Sequence, residues 1–264
     1  MSVAMLNDVS RCIGCRSCQL ACKEWNDLEA RPSRNRGSYQ NPAGLDARTF
    51  TLIRFAESEE RGRLRWGFTK LQCMHCAHPG CVSVCTVGAL RKTAEGPVVY
   101  DDRRCIGCRY CEYACPFGVP KYEWDKPLGL ITKCTLCAGR LEAGRQPSCV
   151  KVCPVDAISF GERDALLAEA HDRIRTHPEL YFDHVYGEHE AGGTSVLYIG
   201  PSDPEELGLP RLGREPVTRY SEAVMKATPL TIVFVAAALG GISWYTHRRN
   251  DVRERDRREP ERDR

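Results

Sequence analysis

Apolar and polar positions change over short distances through most of the chain, which predicts several short elements. Strands are predicted at residues 49–55, 64–68 and 192–200, the last entered through a glycine turn. Residues 163–175 carry apolar side chains at helical spacing and predict a short amphipathic helix. Its apolar positions are Leu166, Leu167, Ala170 and Ile174.

One long apolar segment lies near the C-terminus. Residues 227–245 contain no charged side chain, and a helix of that length spans about 28 Å, close to the ~30 Å hydrocarbon core of a bilayer. Trp244 and Tyr245 lie at one end, where aromatic side chains suit the membrane interface. A buried core helix is the alternative, but the charged residues that follow could not cover a core. A single transmembrane helix in the lipid bilayer is therefore predicted.

The two sides of this segment differ in charge. Residues 246–264 hold eight Arg and six acidic residues without an apolar pattern, which predicts disorder. Of the twenty residues before the segment, four are basic: Arg211, Arg214, Arg219 and Lys226. Basic residues gather on the cytoplasmic side of a span, so the C-terminus is expected in the cytoplasm and the preceding body outside. The N-terminus has neither a basic nor an apolar signal region, so no cleavable secretory signal is expected.

Cysteine is the residue type whose frequency in this chain is unusually high. The 264 residues allow one or two domains, and a net charge of +3 with interleaved acidic and basic residues gives no reason to expect a nucleic-acid partner. The 16 Cys fall into four sets of four with none left over. The sets are Cys12, Cys15, Cys18 and Cys22; Cys73, Cys76, Cys81 and Cys85; Cys105, Cys108, Cys111 and Cys115; and Cys134, Cys137, Cys149 and Cys153.

The spacing within the sets is that of bacterial ferredoxins. The first and third sets have gaps of two, two and three residues, and Pro116 follows the third. In this run three thiolates on one tight loop bind one [4Fe–4S] cluster, and the fourth binds the neighbouring cluster. The second and fourth sets keep the opening gap of two and the closing gap of three, with middle gaps of four and eleven. Four [4Fe–4S] clusters are therefore predicted.

Neighbouring sets are expected to exchange their fourth ligands. The second and third sets are close in sequence and would form one two-cluster module, which leaves the first and fourth sets to pair across it. The predicted ligand groups are Cys12, Cys15, Cys18 and Cys153 (site 1); Cys73, Cys76, Cys81 and Cys115 (site 2); Cys105, Cys108, Cys111 and Cys85 (site 3); and Cys134, Cys137, Cys149 and Cys22 (site 4).

Structural zinc, disulfide bonds and histidine ligands are the alternatives to this interpretation of the cysteines. Structural zinc uses Cys-x2-Cys pairs but has no use for a third Cys two residues on, and disulfides do not explain these runs. Sixteen thiolates satisfy four clusters, so His75 and His78 are expected to make outer hydrogen bonds or face solvent. Ordinary surface positions, rather than roles as haem ligands, are expected for His184, His189 and His247. Arg16, Arg109 and Lys133 are candidates for tuning cluster potentials.

Five segments extend the pattern beyond cysteine. They are residues 12–27, 41–57, 73–85, 133–137 and 185–200. The four sets resemble the four-cluster subunits of membrane-bound molybdopterin and hydrogenase complexes, and the five segments resemble the β subunit of respiratory formate dehydrogenase. The chain departs from that pattern at Thr86, where a Pro is usual after the second set, and its loop there is one residue shorter.

The resemblance implies a function and partners. A chain of this family is a non-catalytic subunit that relays electrons from a molybdenum- or tungsten-containing molybdopterin subunit, which oxidises formate, to a b-type cytochrome that reduces quinone. It also implies export with the catalytic partner and a place on the periplasmic side of the bacterial inner membrane. The alternatives are the equivalent subunit of a nickel–iron hydrogenase or sulfur-compound reductase and, in a different class, a membrane-tethered zinc scaffold.

The expected fold is α+β, with two ferredoxin-like modules, one inserted in the other, and one C-terminal transmembrane helix. The outer module is predicted at residues 1–72 and 117–160, and the inserted module at 73–116. A linker subdomain at 161–226, the transmembrane helix at 227–245 and the disordered tail at 246–264 complete the prediction.

Overall fold

A computed structural model describes residues 2–30, 32, 37, 39–60 and 62–258. The chain divides into two compact units, Met1–Thr218 and Arg219–Arg264. The strands are β1 (Val3–Asp8), β2 (Leu52–Glu60), β3 (Arg63–Leu71), β4 (Leu90–Lys92), β5 (Val98–Tyr100), β6 (Lys121–Tyr122), β7 (Ile131–Thr132), β8 (Ile158–Glu162) and β9 (Val196–Ile199). The helices are α1 (Ser17–Trp25), α2 (Gly80–Ser83), α3 (Tyr110–Tyr113), α4 (Ala138–Glu142), α5 (Ser148–Lys151), α6 (Arg163–Thr176) and α7 (Arg219–Arg258), with 3-10 turns at Asp102–Arg104 and Glu190–Gly192.

A three-stranded sheet in the order β8-β1-β9 lies behind the cysteine-rich part of the first unit. β1 runs antiparallel to β8, with Met5 opposite Phe160, and parallel to β9, with Leu6 opposite Leu197. Successive side chains of a strand point to opposite faces. One face, with Leu6 and Leu197, packs against helix α6, and the other, with Met5, belongs to the core that contains cysteines.

The predicted strands and helix are present in this unit. The two strands expected at 49–55 and 64–68 are β2 and β3, which form one antiparallel hairpin that is longer than predicted. The amphipathic helix is α6, with Leu166, Ala170 and Ile174 buried. The strand expected at 192–200 is β9, and the turn before it holds Gly192 and Gly193 at positive φ.

The prediction of a separate linker subdomain at 161–226 differs from the structure. β9 pairs with the first strand of the chain, and α6 packs on the same sheet, so residues up to Thr218 belong to the first compact unit. The residues after Thr218 are part of the second unit instead. The cause is tertiary, because β9 buries its side chains against helix α6 and against strand β1, which lies far away in sequence.

The second unit consists of helix α7. Within the described residues, one helix is long and apolar enough to cross a membrane, at Arg219–Arg255, with a mean hydropathy of 1.7 over its most apolar window. It contains the predicted span. The hydroxyls of Thr228 and Thr231 donate to the carbonyls of Val224 and Ala227 at 2.8 and 3.0 Å, so the helix itself satisfies these two polar groups.

The prediction of disorder after the span is wrong for residues 246–258, which continue α7 to Arg258. Arg and Glu are good helix formers, and opposite charges one turn apart, such as Asp251 and Arg255, support a helix that already exists. Nucleation is the costly step, and the apolar segment before this stretch has already provided it. The rest of the predicted tail, 259–264, lies outside the described residues.

Candidate cluster-binding sites

The four cysteine sets share one local geometry. The third cysteine of each set is the second residue of a short helix: Cys18 in α1, Cys81 in α2, Cys111 in α3 and Cys149 in α5. The fourth cysteine follows four residues later. Helix α1 contains both Cys18 and Cys22, so these two residues are about one helical turn apart. In the other three sets the fourth cysteine follows shortly after the end of the helix.

Backbone at positive φ bends the first and third sets in the same way. Gly14 and Arg16 have φ of 67° and 63°, and Gly107 and Arg109 have φ of 66° and 65°. A Cβ on Gly107 would lie 2.8 Å from the carbonyl oxygen of Gly129, so this loop requires glycine there. The bend turns the Gly107 amide towards Cys105, which accepts a hydrogen bond at 3.4 Å.

Backbone amides point at cysteine sulfur in the fourth set as well. Leu136 N–H donates to Cys134 Sγ at 3.4 Å, and Ala157 N–H donates to Cys153 Sγ at 3.3 Å. A hydrogen bond to a thiolate favours its charged form. These loops therefore stabilise the state of cysteine that binds iron.

The helices that carry the cysteines pack in pairs. α1 packs against α5, and α2 packs against α3. The Ser148 hydroxyl at the start of α5 donates to the Ala21 carbonyl of α1 at 3.1 Å. Gly80 lets α2 approach closely, because a Cβ there would lie 2.7 Å from the Ala114 carbonyl oxygen. The first set thus lies beside the fourth, and the second beside the third.

Two cavities are lined by the complete ligand groups predicted for sites 1 and 3. One cavity is lined by all four cysteines of site 1, with Ile53, Phe68 and Lys70 among the other lining residues. A second is lined by all four cysteines of site 3, with Leu90, Tyr100 and Ile131 among the others. Cys153 is thus in the site 1 cavity, and Cys85 is in the site 3 cavity.

The thiols of sites 2 and 4 are neighbours in the same crossed arrangement. Burial raises the pKa of Cys76, and the nearby thiols of Cys73, Cys115 and Cys81 raise it further. Burial also raises the pKa of Cys22 to about 11, and its thiol neighbours are Cys149 and Cys137. Cys22 therefore faces the fourth set.

The thiols fit an iron–sulfur cluster chemically. All sixteen cysteines are free thiols. Burial is the main reason that the pKa rises to about 12 for Cys18 and Cys81, so without a cation these groups remain protonated at neutral pH. Iron binds the thiolate form, so a cysteine that coordinates iron is deprotonated at neutral pH. Apolar walls with amide donors to sulfur match the surroundings that such clusters require.

Adjacent sites meet through shared apolar packing. Cys18 and Cys149 lie in one core cluster, which joins sites 1 and 4. Cys73 and Cys134 lie in another with Val119, which joins sites 4 and 2. Cys81 and Cys111 lie in a third, which joins sites 2 and 3. The spatial order of the sites is therefore 1, 4, 2, 3.

Of the three basic residues proposed as tuning groups, two lie on aromatic surfaces. The Arg16 guanidinium lies 4.6 Å from the ring centre of Phe55, and that of Arg109 lies 4.8 Å from Trp124. Lys133 is buried, and its ammonium donates to the carbonyls of Val98 and Cys134, both at 2.5 Å. Of these three residues, Lys133 is thus the buried one that lies next to a predicted ligand, Cys134.

Three further polar side chains near the thiols are not predicted from the sequence. Lys70 is buried; burial alone would lower its pKa, but the thiols of Cys149, Cys18, Cys134 and Cys22 raise it. Burial lowers the pKa of Lys92 to about 8. Burial, and next the nearby thiol of Cys105, raise the pKa of Tyr100. Nothing in the sequence around these three residues distinguishes them from surface positions.

The two histidines of the second set, which are expected to make outer hydrogen bonds or face solvent, differ in exposure. His75 is fully buried, and its Nδ1 accepts a hydrogen bond from Val98 N–H at 2.9 Å. Burial, with Lys133, Lys92 and Lys70 nearby, lowers the pKa of His75 well below its ordinary value, so it is neutral. His78 is exposed.

The remaining histidines lie apart from the cysteines. His184 is half-buried and pairs with Glu190 at 2.7 Å, and His189 is exposed beside Glu188 at 3.7 Å. His247 is exposed on α7. None of these three lines the cavities of sites 1 and 3.

Comparisons with known proteins identify the domains. Two models described as 4Fe–4S dicluster domains match, one over residues 64–163 and one over 11–89. Together they include all sixteen cysteines. The chain thus contains two ferredoxin-type 4Fe–4S dicluster domains of mixed helix and strand, together with one long apolar C-terminal helix.

Curated relatives match nearly the whole chain. The nitrate-inducible formate dehydrogenase iron–sulfur subunit of Escherichia coli K12 is 39% identical over 251 residues, covering 92% of this chain and 84% of that protein. The formate dehydrogenase iron–sulfur subunit of Haemophilus influenzae is 38% identical, covering 92% and 78%. The hydrogenase-2 operon protein HybA of Escherichia coli O157:H7 is 36% identical, covering 92% and 83%. With this identity over most of its length, the chain belongs to the family of formate dehydrogenase iron–sulfur subunits.

Proposed function

We propose that this chain holds four [4Fe–4S] clusters and relays electrons from a molybdopterin-containing subunit that oxidises formate, with molybdenum or tungsten, to a membrane b-type cytochrome and quinone. The observation that carries the proposal is that the four cysteines predicted for site 1 line one cavity and the four predicted for site 3 line another, while thiols predicted for site 2 and for site 4 are neighbours within each group. The chain itself is non-catalytic, since substrate chemistry belongs to the partner. The curated relatives named as formate dehydrogenase subunits support formate as the electron donor.

The proposed ligand groups are the crossed ones. The pairing of α1 with α5 and of α2 with α3 supports the exchange of the fourth cysteines. The cavities that contain Cys153 beside the first set and Cys85 beside the third support it independently. The same pairing supports a module at 73–116 inserted into one formed by 1–72 and 117–160.

Within this proposal the residues of the chain have defined tasks. Bound clusters would supply one-electron redox chemistry. The cysteines fix the positions, the amides of residues such as Gly107 and Leu136 stabilise the thiolates, and the apolar packing between sites excludes water. Cys15 and Cys108, at the two ends of the row, are exposed. Electrons are therefore expected to enter and leave at sites 1 and 3.

Hydrogenase is the second candidate function, because HybA is nearly as similar to this chain. The two functions share every cluster site and differ in the catalytic partner. The zinc scaffold receives less support: within the part of the chain that the structure describes, no three Cys, His, Asp or Glu side chains converge as ligands of one metal ion. Thiols that surround a cavity suit a larger cluster instead.

The complex that contains this chain should oxidise formate and reduce a quinone analogue. It is purified from membranes through a tag on the chain, and the rates with formate and with hydrogen are compared in the same preparation. Acid-labile sulfide should account for at least four clusters, and zinc should be absent. Hydrogen oxidation without formate oxidation would transfer the chain to the hydrogenase function, whereas zinc without iron would establish the scaffold.

We further propose a single-pass location in the bacterial inner membrane, with the cluster-bearing unit in the periplasm. The candidate span in α7 and the basic residues after it support this orientation. Protease added to intact spheroplasts should digest an epitope inserted at exposed Leu128 and spare one at the C-terminus. The matched control is the same treatment of lysed spheroplasts, where both epitopes should be digested. Protection of the Leu128 epitope alone would reverse the orientation.

A further inference from the structure

The side chain of Lys70 is buried among the cysteines of two different sites. Lys70 is 3% exposed and lies on β3, where it pairs with Ile53 of β2. Its carbonyl accepts a hydrogen bond from the Tyr198 hydroxyl at 2.6 Å. The strand register and this bond hold the backbone in place, so the side chain remains inside the protein.

The ammonium of Lys70 has only weak partners other than sulfur ligands. It donates to the amide oxygen of Gln72, and it lies 3.8 Å from the sulfur of Met5. Among the residues that the structure describes, no carboxylate forms an ion pair with it, unlike Lys121 and Lys126, which pair with Glu112 and Glu123. A buried charge without a counter-charge is costly, so the compensating negative charge has to come from elsewhere.

The nearest groups that can carry negative charge are the cysteine thiols, which are thiolates when they bind iron. Cys18 of site 1 is one neighbour, and Cys149, Cys134 and Cys22 of site 4 are the others. Lys70 also lines the cavity that contains the four cysteines of site 1. The ammonium is therefore shared between the two sites.

We propose that Lys70 is a fixed positive charge that raises the reduction potentials of the clusters at sites 1 and 4. Reduction adds one negative charge to a cluster, and a buried positive charge nearby stabilises the reduced state more than the oxidised state. Because water does not screen this charge, its effect exceeds that of a surface lysine at a similar distance. The inference rests on the proposed four-cluster function.

Redox titration of the purified complex, followed by electron paramagnetic resonance, tests the proposal. Lys70→Met keeps the apolar stem and removes the charge, and Lys70→Arg keeps the charge. Lys151→Met is the matched control, because Lys151 lies between two cluster ligands in sequence but is exposed. The signals of sites 1 and 4 are assigned from the signals lost in Cys15→Ala and Cys137→Ala.

In Lys70→Met, the equilibrium constants for reduction at sites 1 and 4 should fall about tenfold, which is about 59 mV for a one-electron couple. Sites 2 and 3 should not change, Lys70→Arg should restore the wild-type values, and Lys151→Met should leave all four unchanged. Equal shifts at all sites, or none beyond the control, would show that Lys70 does not set these potentials. If Lys70→Met loses iron, Lys70→Gln is titrated instead. If neither neutral variant keeps its clusters while Lys70→Arg does, the positive charge is needed for cluster assembly. The proposal that Lys70 sets the potentials is then wrong.

Iron and sulfide analysis of the unchanged complex separates the two hypotheses. A content well below four clusters would contradict the proposed function. Four clusters with unshifted potentials in Lys70→Met would contradict only the role of Lys70.

Discussion

A Cys22→Ala variant should lose the cluster of site 4 and keep that of site 1, although Cys22 belongs to the first cysteine set. The side chain of Cys22 lies one helical turn beyond Cys18, and its thiol neighbours are Cys149 and Cys137. Alanine is used because a serine hydroxyl could still bind iron. Iron should fall by about a quarter, since one of four clusters is lost. Electron transfer from formate to a quinone analogue should fall to background, because the row of sites is interrupted at its second position.

Two matched variants identify the cluster that is lost. Cys137→Ala removes a ligand of site 4, and Cys15→Ala removes a ligand of site 1. The resonance missing in Cys22→Ala should be the one missing in Cys137→Ala. The reciprocal variant, Cys153→Ala, should lose the same resonance as Cys15→Ala. If Cys22→Ala instead matches Cys15→Ala, each set holds its own cluster and the crossed pairing is wrong.

The largest effect on stability is expected from Leu197→Ala. Leu197 is fully buried on β9, between β1 and helix α6. Truncating a leucine in such a position removes buried apolar surface and leaves a cavity, at a cost of about 2–5 kcal/mol. At about 2–4 °C per kcal/mol for a unit of this size, the apparent Tm of the first unit should fall by at least about 4 °C. It is measured from the loss of cluster absorbance on heating.

Leu180→Ala is the control, because Leu180 lies in the same part of the chain but is 50% exposed. Substitutions at exposed positions without special features usually change stability by less than about 0.5 kcal/mol. An unchanged Tm in Leu197→Ala would mean that β9 does not support the sheet beneath the cysteine sites, and the stretch before Thr218 would then be the independent linker expected from the sequence.

Local features of the fold were accessible from the sequence. The hairpin of β2 and β3, helix α6 and strand β9 follow from apolar periodicity, which each segment carries within its own residues. The helical continuation to Arg258 does not follow from apolar periodicity, because residues 246–258 contain few apolar side chains, a composition that predicts disorder. The Arg and Glu residues of this stretch favour a helix, but its own composition does not show that the apolar segment before it has already nucleated one.

The candidate sites likewise combine residues that the sequence predicts with residues whose place depends on the tertiary fold. The sixteen ligands are predicted from the sequence because cluster chemistry demands cysteine at fixed short gaps. Lys70 was not found, because its burial depends on strand β1, strand β9 and helices α1 and α5 closing over it. Tyr100 was missed for the same reason, since its contact with Cys105 depends on the β4–β5 hairpin.

The sequence by itself determined the type of prosthetic group, the number of ligands and the apolar segment suited to a membrane. These depend on covalent spacing and on the composition of continuous segments, both of which the chain order fixes. Only the tertiary structure decided that site 4 lies between sites 1 and 2, that β9 joins the first strand of the chain, and that Lys70 lies among the thiols. Each of these depends on surfaces distant in sequence coming together, and the free energy of that burial arises only when the chain folds.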